Sequence, residues 1–102
     1  MSEWTRVADE GDLQDGLPLA VRLGEEFIVV VRTADAVYAL EDSCTHEECP
    51  LSDGIVTDRE LACPCHGSVF DLRTGEALVG PALESVRTYA VRVESGAVEI
   101  RL

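Results

Sequence analysis

The feature that most restricts the fold is the contrast between a turn-rich central segment and two β-rich ends. Residues Asp42 to Pro81 contain all four cysteines, both histidines, three of the four prolines and four of the eight glycines. The flanking segments instead alternate apolar and polar residues with the period of two that is typical of β-strands. We therefore predict loops that project from an all-β scaffold, with the functional residues in those loops.

The N-terminal third predicts three strands. Alternation runs from Leu19 to Leu23, and Gly24-Glu25 predicts the turn that follows. The next run, Phe27 to Val31, is apolar at every position, as in a central strand that is covered on both faces. A third strand is predicted from Val37 to Leu40, and one short helical turn is predicted earlier, from Asp9 to Leu13.

The C-terminal part predicts a β-hairpin. Tyr89 to Val93 and Val98 to Leu102 both alternate, and Glu94-Ser95-Gly96 between them is typical of a hairpin turn. The β-branched and aromatic residues near Ala82 to Arg87 favour a strand there as well. Two short central strands are predicted at Glu60 to Ala62 and at Ser68 to Leu72.

The charge balance excludes some classes of protein. The chain has 102 residues with eight basic side chains, all arginine, against 20 carboxylates, so its net charge is −12 and binding of nucleic acid through a basic patch is excluded. The longest purely apolar run, Phe27 to Val31, is far shorter than the ~18 residues of a membrane span. The first residues do not resemble a secretion signal. We expect a soluble, cytoplasmic protein, in which cysteines serve metals or redox chemistry more often than structural disulfides.

Two short motifs contain both histidines and all the proposed metal ligands. The first is Cys44-Thr45-His46, and the second, separated from His46 by 16 residues, is Cys63-Pro64-Cys65-His66. Any one of these residues could be a buried thiol or a core histidine. Their restriction to two windows rich in proline, glycine and acidic residues instead indicates metal binding. Each half offers one thiolate and one imidazole, which suit zinc or iron of an iron-sulfur cluster.

The order of the ligands distinguishes these two metals. Structural zinc sites of the Cys2His2 type usually pair cysteine with cysteine and histidine with histidine. Here each half is mixed, as expected if each loop gives one cysteine to one iron and one histidine to the other iron of a binuclear cluster. A zinc site or a purely structural module remains the alternative.

At these residues the sequence resembles the Rieske 2Fe-2S proteins. The resemblance rests on CTHEECPLSDG (44 to 54), CPCHGSVFD (63 to 71) and Gly80-Pro81-Ala82, which are similar to the two cluster-binding loops and the proline loop of that family. It implies an all-β fold, a Rieske-type β-sandwich with a small cluster-binding subdomain made of two loops and short strands. Residues 1–102 would form one domain, with the subdomain at about 42–82.

The resemblance also assigns the ligands of one Rieske-type 2Fe-2S cluster. It implies that Cys44 and Cys63 bind the buried iron, and that His46 and His66 bind the outer iron, where electrons enter and leave.

The two remaining cysteines, Cys49 and Cys65, match positions that form a disulfide in the quinol-oxidising branch of the family. The reducing cytosol argues against this disulfide. Shielding beside the cluster argues for it, because accessibility controls thiol–disulfide exchange. We expect the disulfide.

Three further residues would surround the cluster according to the resemblance. Ser68 would donate a hydrogen bond to a bridging sulfide, and Pro81 belongs to the proline loop. Phe70 stands where high-potential members have a tyrosine that donates to a cysteine sulfur. Because one donor is present and one is missing, we expect a reduction potential in the lower or middle part of the family's range of about −150 to +300 mV.

The resemblance predicts a monomeric one-electron carrier, not an enzyme, that passes electrons from a flavin-dependent reductase to a terminal oxygenase. The small subunit of an assimilatory nitrite reductase is the alternative. A catalytic oxygenase is excluded because its mononuclear iron needs two further histidines. Carboxylates beside the first loop either steer docking to a basic partner or are ordinary solvated charges; they are Glu41, Asp42, Glu47, Glu48 and Asp53.

Overall fold

The computed structural model describes residues 3–34, 36–43, 49–65, 67–80, 82 and 84–102. These ranges form ten strands and two single-turn 3-10 helices, at Glu10–Asp12 and Leu51–Asp53, which confirms the all-β prediction and the early helical turn. The strands are β1 (Thr5–Asp9), β2 (Leu19–Leu23), β3 (Glu26–Arg32), β4 (Val37–Glu41), β5 (Ile55–Thr57), β6 (Glu60–Ala62), β7 (Val69–Asp71), β8 (Ala77–Val79), β9 (Thr88–Glu94) and β10 (Ala97–Arg101).

The larger sheet has six antiparallel strands in the order β1-β10-β9-β4-β3-β2. Strand β1 pairs with β10 on one side of the C-terminal hairpin, and β4 pairs with β9 on the other side at Ala39 with Tyr89 and Leu40 with Thr88. The two edge strands, β1 and β2, lie close to each other. The sheet therefore curls into a near-barrel with its own apolar interior.

The smaller sheet is a four-stranded antiparallel meander in the order β5-β6-β7-β8. It lies within the central segment, and it includes the predicted strands at Glu60–Ala62 and, shortened by one residue at each end, at Ser68–Leu72. Strands β5 and β8 have three residues each and give no alternation signal of their own. The described part of the second motif, Cys63 to Cys65, directly follows β6 of this sheet.

Strand β3 separates two apolar cores. Ile28 and Val30 face the interior of the near-barrel, whereas Val29 and Val31 face the smaller sheet, and all four side chains are fully buried. This confirms the prediction of a strand that is covered on both faces. Phe27, at the end of the run, is exposed, and the Arg22 guanidinium lies 5.1 Å from its ring centre.

The C-terminal hairpin has the predicted turn. Glu94 pairs with Ala97, so that Ser95 and Gly96 form a two-residue loop with φ angles of 50° and 80°. Positive φ at both central residues defines a type I′ turn, whose twist matches that of the strands it joins.

The strand predicted near Ala82 to Arg87 is wrong. The described residues of this stretch carry no strand, and β9 begins only at Thr88. Val86 is buried in the core between the two sheets, and its N–H donates to the Gly75 carbonyl at 2.9 Å. The apolar and β-branched residues here mark a connection that is packed between the sheets, a pattern that local propensity does not distinguish from a strand.

Candidate metal centre

Cys63 is the one proposed ligand among the described residues. It follows β6 directly and its residue surface is only 4% exposed. Cys44, His46 and His66 lie outside the described residues, as does Pro81. The placement of the predicted ligand set as a whole therefore stays a prediction.

A tight turn holds Cys63 between β6 and β7. Its N–H donates to the Ser68 carbonyl at 2.6 Å, and its own carbonyl accepts from the Gly67 N–H at 3.1 Å. Gly67 has a φ of +77°, which glycine adopts at no steric cost. These bonds fix the backbone of the second loop, and the Cys63 thiol packs with the core between the sheets.

The first loop is closed by a hydrogen-bonded clamp that sequence reasoning missed. Both carboxylate oxygens of Asp42 accept bonds from Ser52 at 2.7 Å, one from its N–H and one from its hydroxyl. Leu51, next to Ser52, is fully buried and anchors the loop in the core. The Asp42 carboxylate closes the loop in this way, and its part in docking to a basic partner stays a prediction. An aspartate ten residues before a serine gives no sequence signal of this kind.

The predicted disulfide joins the two loops. Cys49 and Cys65 are bonded to each other, with their Cα atoms 6.4 Å apart. The sulfur atoms of Cys49, Cys63 and Cys65 all lie within 4.8 Å of one another. The disulfide therefore lies directly beside the proposed ligand Cys63.

Ser68 is buried where a hydrogen-bond donor to the cluster is predicted. It is the buried polar residue of the described core, and its Oγ accepts a bond from the Ala82 N–H at 3.0 Å. A hydroxyl that accepts one bond still carries its own O–H donor. The Ala82 bond also ties the segment after Pro81 to the second loop. A buried thiol and a buried hydroxyl on one tight turn fit a group with thiophilic iron and hydrogen-bond-accepting sulfide.

Phe70 faces the core between the sheets and is fully buried. It pairs with Leu61 across β6 and β7, in a row that continues to Val56 on β5. Its ring therefore provides packing, and its position beside a cysteine sulfur stays a prediction.

Replacing Phe70 by tyrosine is expected to raise the reduction potential, because a new hydroxyl donor to a cysteine sulfur stabilises the more negative reduced cluster. Voltammetry of the holoprotein measures the shift, with Phe27→Tyr on the exposed end of β3 as the control. A buried hydroxyl that finds no partner would instead destabilise the fold by about 1–3 kcal/mol without moving the potential, and that outcome would contradict the placement.

Gly54 brings the ends of the two loops together. A Cβ at this position would overlap the carbonyl oxygen of Ala62, the residue before Cys63, and would lie 3.0 Å from the Leu51 carbonyl oxygen. Both neighbours are backbone atoms, which cannot turn away as a side chain can.

Gly54→Ala is therefore expected to lower the free energy of unfolding by about 1–3 kcal/mol or more, as overpacking does in a filled core. Urea unfolding followed by circular dichroism measures the loss. Gly11→Ala is the matched control, because nothing lies within 4 Å of a Cβ built there, and we expect a change within about 0.5 kcal/mol. Equal stabilities of the two variants would show that the loop ends are not in close contact.

A polar cluster that links residues of β9 and β3, on either side of β4, was also not predicted. The Tyr89 hydroxyl donates to the Glu26 carboxylate at 2.9 Å, and Arg87 lies 3.4 Å from the same oxygen. Burial, together with the Glu26 carboxylate, raises the pKa of the Tyr89 phenol above its ordinary value of 10. The neutral phenol is thus favoured in the folded protein.

This raised pKa predicts a loss of stability at high pH. The unfolded chain releases the phenolic proton near pH 10, whereas the folded protein still retains it there. The stabilisation of the folded state by Tyr89 is therefore intact below pH 10 and disappears as pH rises through the folded pKa. Tyr89→Phe is expected to lower the free energy of unfolding by about 1 kcal/mol at pH 8. Between pH 9 and 11 the free energy of unfolding of this variant is expected to fall less than that of the wild type. Urea unfolding across this range measures both, with Tyr38→Phe as the control. Parallel curves for wild type and Tyr89→Phe would contradict the expectation.

Carboxylates line a cleft at the base of the first loop. The cleft has a volume of about 300 Å³ and is lined by Glu25, Glu26, Phe27, Glu41, Asp42 and Ser43. Glu47 and Glu48, also predicted as docking charges, lie outside the described residues. Within the described ranges, the structure has no helix of sufficient length and apolar character to span a membrane.

The model of the Rieske [2Fe-2S] domain matches residues 3–90. This chain belongs to the Rieske [2Fe-2S] family. It is 33% identical over 102 residues to the anthranilate 1,2-dioxygenase ferredoxin subunit of Burkholderia cepacia, covering 100% of this chain and 94% of the relative. It is 32% identical over 100 residues to the naphthalene 1,2-dioxygenase ferredoxin component of Pseudomonas putida, covering 98% and 96%.

The solved Rieske structures agree with the fold described above. The ferredoxin of carbazole 1,9a-dioxygenase from Nocardioides aromaticivorans matches with a TM-score of 0.90 and 34% identity, over 95% of each chain. A ferredoxin solved in complex with the oxygenase of carbazole 1,9a-dioxygenase matches with a TM-score of 0.88 and 34% identity, over 95% of this chain and 91% of that chain.

The Rieske family assigns the chemistry of this protein. Its cofactor is a Rieske-type 2Fe-2S cluster, and the relatives are ferredoxin components, which carry electrons and do not catalyse a reaction. When bound, the cluster takes up and releases one electron at a time. Cys63, with its buried thiol, and Ser68, with its buried hydroxyl, would hold the cluster beside the disulfide that joins the loops.

Proposed function

We propose that this Rieske ferredoxin carries electrons from a flavin-dependent reductase to the terminal oxygenase of a ring-hydroxylating dioxygenase system, as a cytoplasmic monomer. The proposal is carried by the similarity of this chain to ferredoxin components of such systems. The matched region covers 94–96% of the length of these relatives. A further support is the relative that forms a complex with its oxygenase.

We propose that the cluster is bound by Cys44 and Cys63 at the inner iron and by His46 and His66 at the outer iron. The burial of Cys63 supports an inner position for it. The disulfide between Cys49 and Cys65 supports the same assignment, because two cysteines that are bonded to each other do not serve as thiolate ligands.

We also propose that residues 1–102 form one Rieske domain, with the cluster-binding subdomain at about 42–82. The smaller sheet supports this subdomain, since all four of its strands lie between Ile55 and Val79. Its core is shared with β3 and β4 of the larger sheet, which supports a single domain.

A role in nitrite reduction is the weaker alternative. A Mycobacterium tuberculosis chain assigned as the small subunit of an NADH-dependent nitrite reductase has a TM-score of 0.89, but its identity is only 25%. The dioxygenase ferredoxins reach 31–34% identity at similar coverage.

The test is electron transfer from the dithionite-reduced holoprotein. Electron paramagnetic resonance of the reduced protein first establishes the low-average-g signal of a Rieske cluster. Stopped-flow absorbance then follows reoxidation by the terminal oxygenase of the Pseudomonas putida naphthalene dioxygenase system, with the Mycobacterium tuberculosis nitrite reductase as the competing acceptor. Faster reoxidation by the oxygenase is expected. Preference for the nitrite reductase would overturn the proposed partner, and a zinc-containing protein without the signal would overturn the cofactor.

A further inference from the structure

Three cysteine sulfurs lie together at the junction of the two loops. Cys49 and Cys65 form the disulfide, and the Cys63 sulfur lies within 4.8 Å of both of their sulfur atoms. At this separation Cys63 is a close neighbour of both sulfurs of the disulfide. Thiol–disulfide exchange needs such an approach of the third sulfur.

We propose that Cys63 is an internal nucleophile for the Cys49–Cys65 disulfide when no cluster is bound. The Cys63 thiolate attacks Sγ of Cys49, a new Cys49–Cys63 bond forms, and Cys65 leaves with the electron pair of the broken bond. The proton released by Cys63 is taken up by Cys65 through solvent. The number of disulfides and thiols is unchanged, so the exchange needs neither an oxidant nor a reductant.

Chain geometry selects Cys49 as the sulfur that is attacked. Attack on Cys65 would bond Cys63 to a cysteine only two residues away, across Pro64, whose ring restricts the backbone of so small a cycle. A Cys49–Cys63 bond closes a loop that is two residues shorter than the native one, whose separation is 16. The native loop and the Cys49–Cys63 loop therefore differ in their probability of closure by a factor of only about 1.2.

Burial favours departure of Cys65. Cys63 is buried, Cys49 is intermediate and Cys65 is exposed. In the exchanged form the buried sulfur becomes part of a neutral disulfide, and the thiol lies at the exposed position, where water solvates it.

The exchange would withdraw Cys63 from the cluster. This consequence rests on the proposed role of Cys63 as a ligand, whereas the exchange itself rests only on the positions of the three sulfurs. Bound iron and the Cys49–Cys63 disulfide would then exclude each other. Chains that lose the cluster would accumulate in a form that takes it up again only after a thiol reductant restores Cys63.

The test uses the full-length Cys44→Ser variant, in which Cys63 is the remaining thiol if the disulfide has its native pairing. Thiols are labelled with N-ethylmaleimide under native conditions, the disulfide is then reduced, and the released thiols are labelled with iodoacetamide. Trypsin yields a peptide from Glu60 to Arg73 that contains both Cys63 and Cys65, and its fragmentation assigns each label. We expect the maleimide on Cys65. The labelled fraction of Cys65 is expected to be at least about tenfold higher than in the wild-type holoprotein labelled after acid denaturation.

The acid-denatured wild-type holoprotein is the matched control, because exchange needs a thiolate and thiolates are protonated at acid pH. Maleimide on Cys63 alone in the native variant would overturn the proposal, and so would equal labelling of Cys65 in the variant and in the acid-denatured holoprotein. Circular dichroism of Cys44→Ser establishes that the native sample is folded. An absorption spectrum of the same sample tests the ligand assignment separately. A Rieske spectrum in Cys44→Ser would contradict that assignment, and the exchange would still be judged on the labels alone.

Recovery of the cluster tests the consequence. Wild-type protein stripped of iron and held without reductant is expected to lose at least half of its capacity to regain the Rieske spectrum, and dithiothreitol given before iron and sulfide is expected to restore it. The informative chains are those that carry the maleimide on Cys65. If they regain the Rieske spectrum equally with and without dithiothreitol, Cys63 is not required as a ligand. The exchange would then stand, and the proposed ligand set would fall.

Discussion

Replacing Cys63 by serine is expected to abolish the Rieske signal in electron paramagnetic resonance while leaving the β-sheets intact. A serine hydroxyl is a much poorer ligand for iron than a thiolate, because iron of such clusters prefers soft sulfur donors. Cys49 and Cys65 are paired with each other, so neither is available to replace the missing thiolate. The substitution is nearly isosteric, so the core around it retains its shape.

Iron content, the reduced-state spectrum and far-ultraviolet circular dichroism measure this result together. The matched comparison is the double variant Cys49→Ser, Cys65→Ser, which removes two nearby sulfurs but leaves the proposed ligands in place. We expect that variant to retain the signal. A full signal in Cys63→Ser, or loss of the signal in both variants with the fold preserved, would contradict the ligand assignment.

The same double variant is expected to lower the free energy of unfolding of the cluster-free chain by about 3 kcal/mol, because the disulfide closes a loop with a sequence separation of 16. The corresponding fall in melting temperature is about 12–24 °C for a domain of this size. A smaller loss is expected in the holoprotein, since the proposed ligands connect the same two loops through iron.

Urea unfolding of iron-free and iron-loaded samples, each followed by circular dichroism, measures the two losses. Wild-type protein reduced with a phosphine is the control, because it lacks the same bond without any substitution. Agreement between the reduced wild type and the double variant is expected. A loss below about 1 kcal/mol in both would show that the joined loops retain their structure without the bond.

Several elements could be predicted because their signals are local. The alternation in β2 and the apolar run of β3 each report which faces are buried, and the Ser95-Gly96 turn has its own residue preference. Residue types and spacing likewise indicated the metal centre, since soft and imidazole ligands in two interleaved motifs have few other uses.

Other elements depend on contacts between distant residues. The packing of Val86 between the sheets and the Asp42–Ser52 clamp leave no pattern in the sequence, because their partners are distant and share no periodicity. The three-residue strands β5 and β8 form only because β6 and β7 lie beside them. Local propensity is too weak to specify such short strands alone.

The sequence by itself determined which residue types are available: four cysteines and two histidines within two short segments of a β-rich chain. Only the tertiary structure decided what adjacent cysteines do. Cys63 and Cys65 are separated by one proline, yet Cys63 is buried as a candidate ligand and Cys65 is exposed and bonded to Cys49. The physical reason is burial, which depends on how the two sheets pack and which residue spacing does not encode.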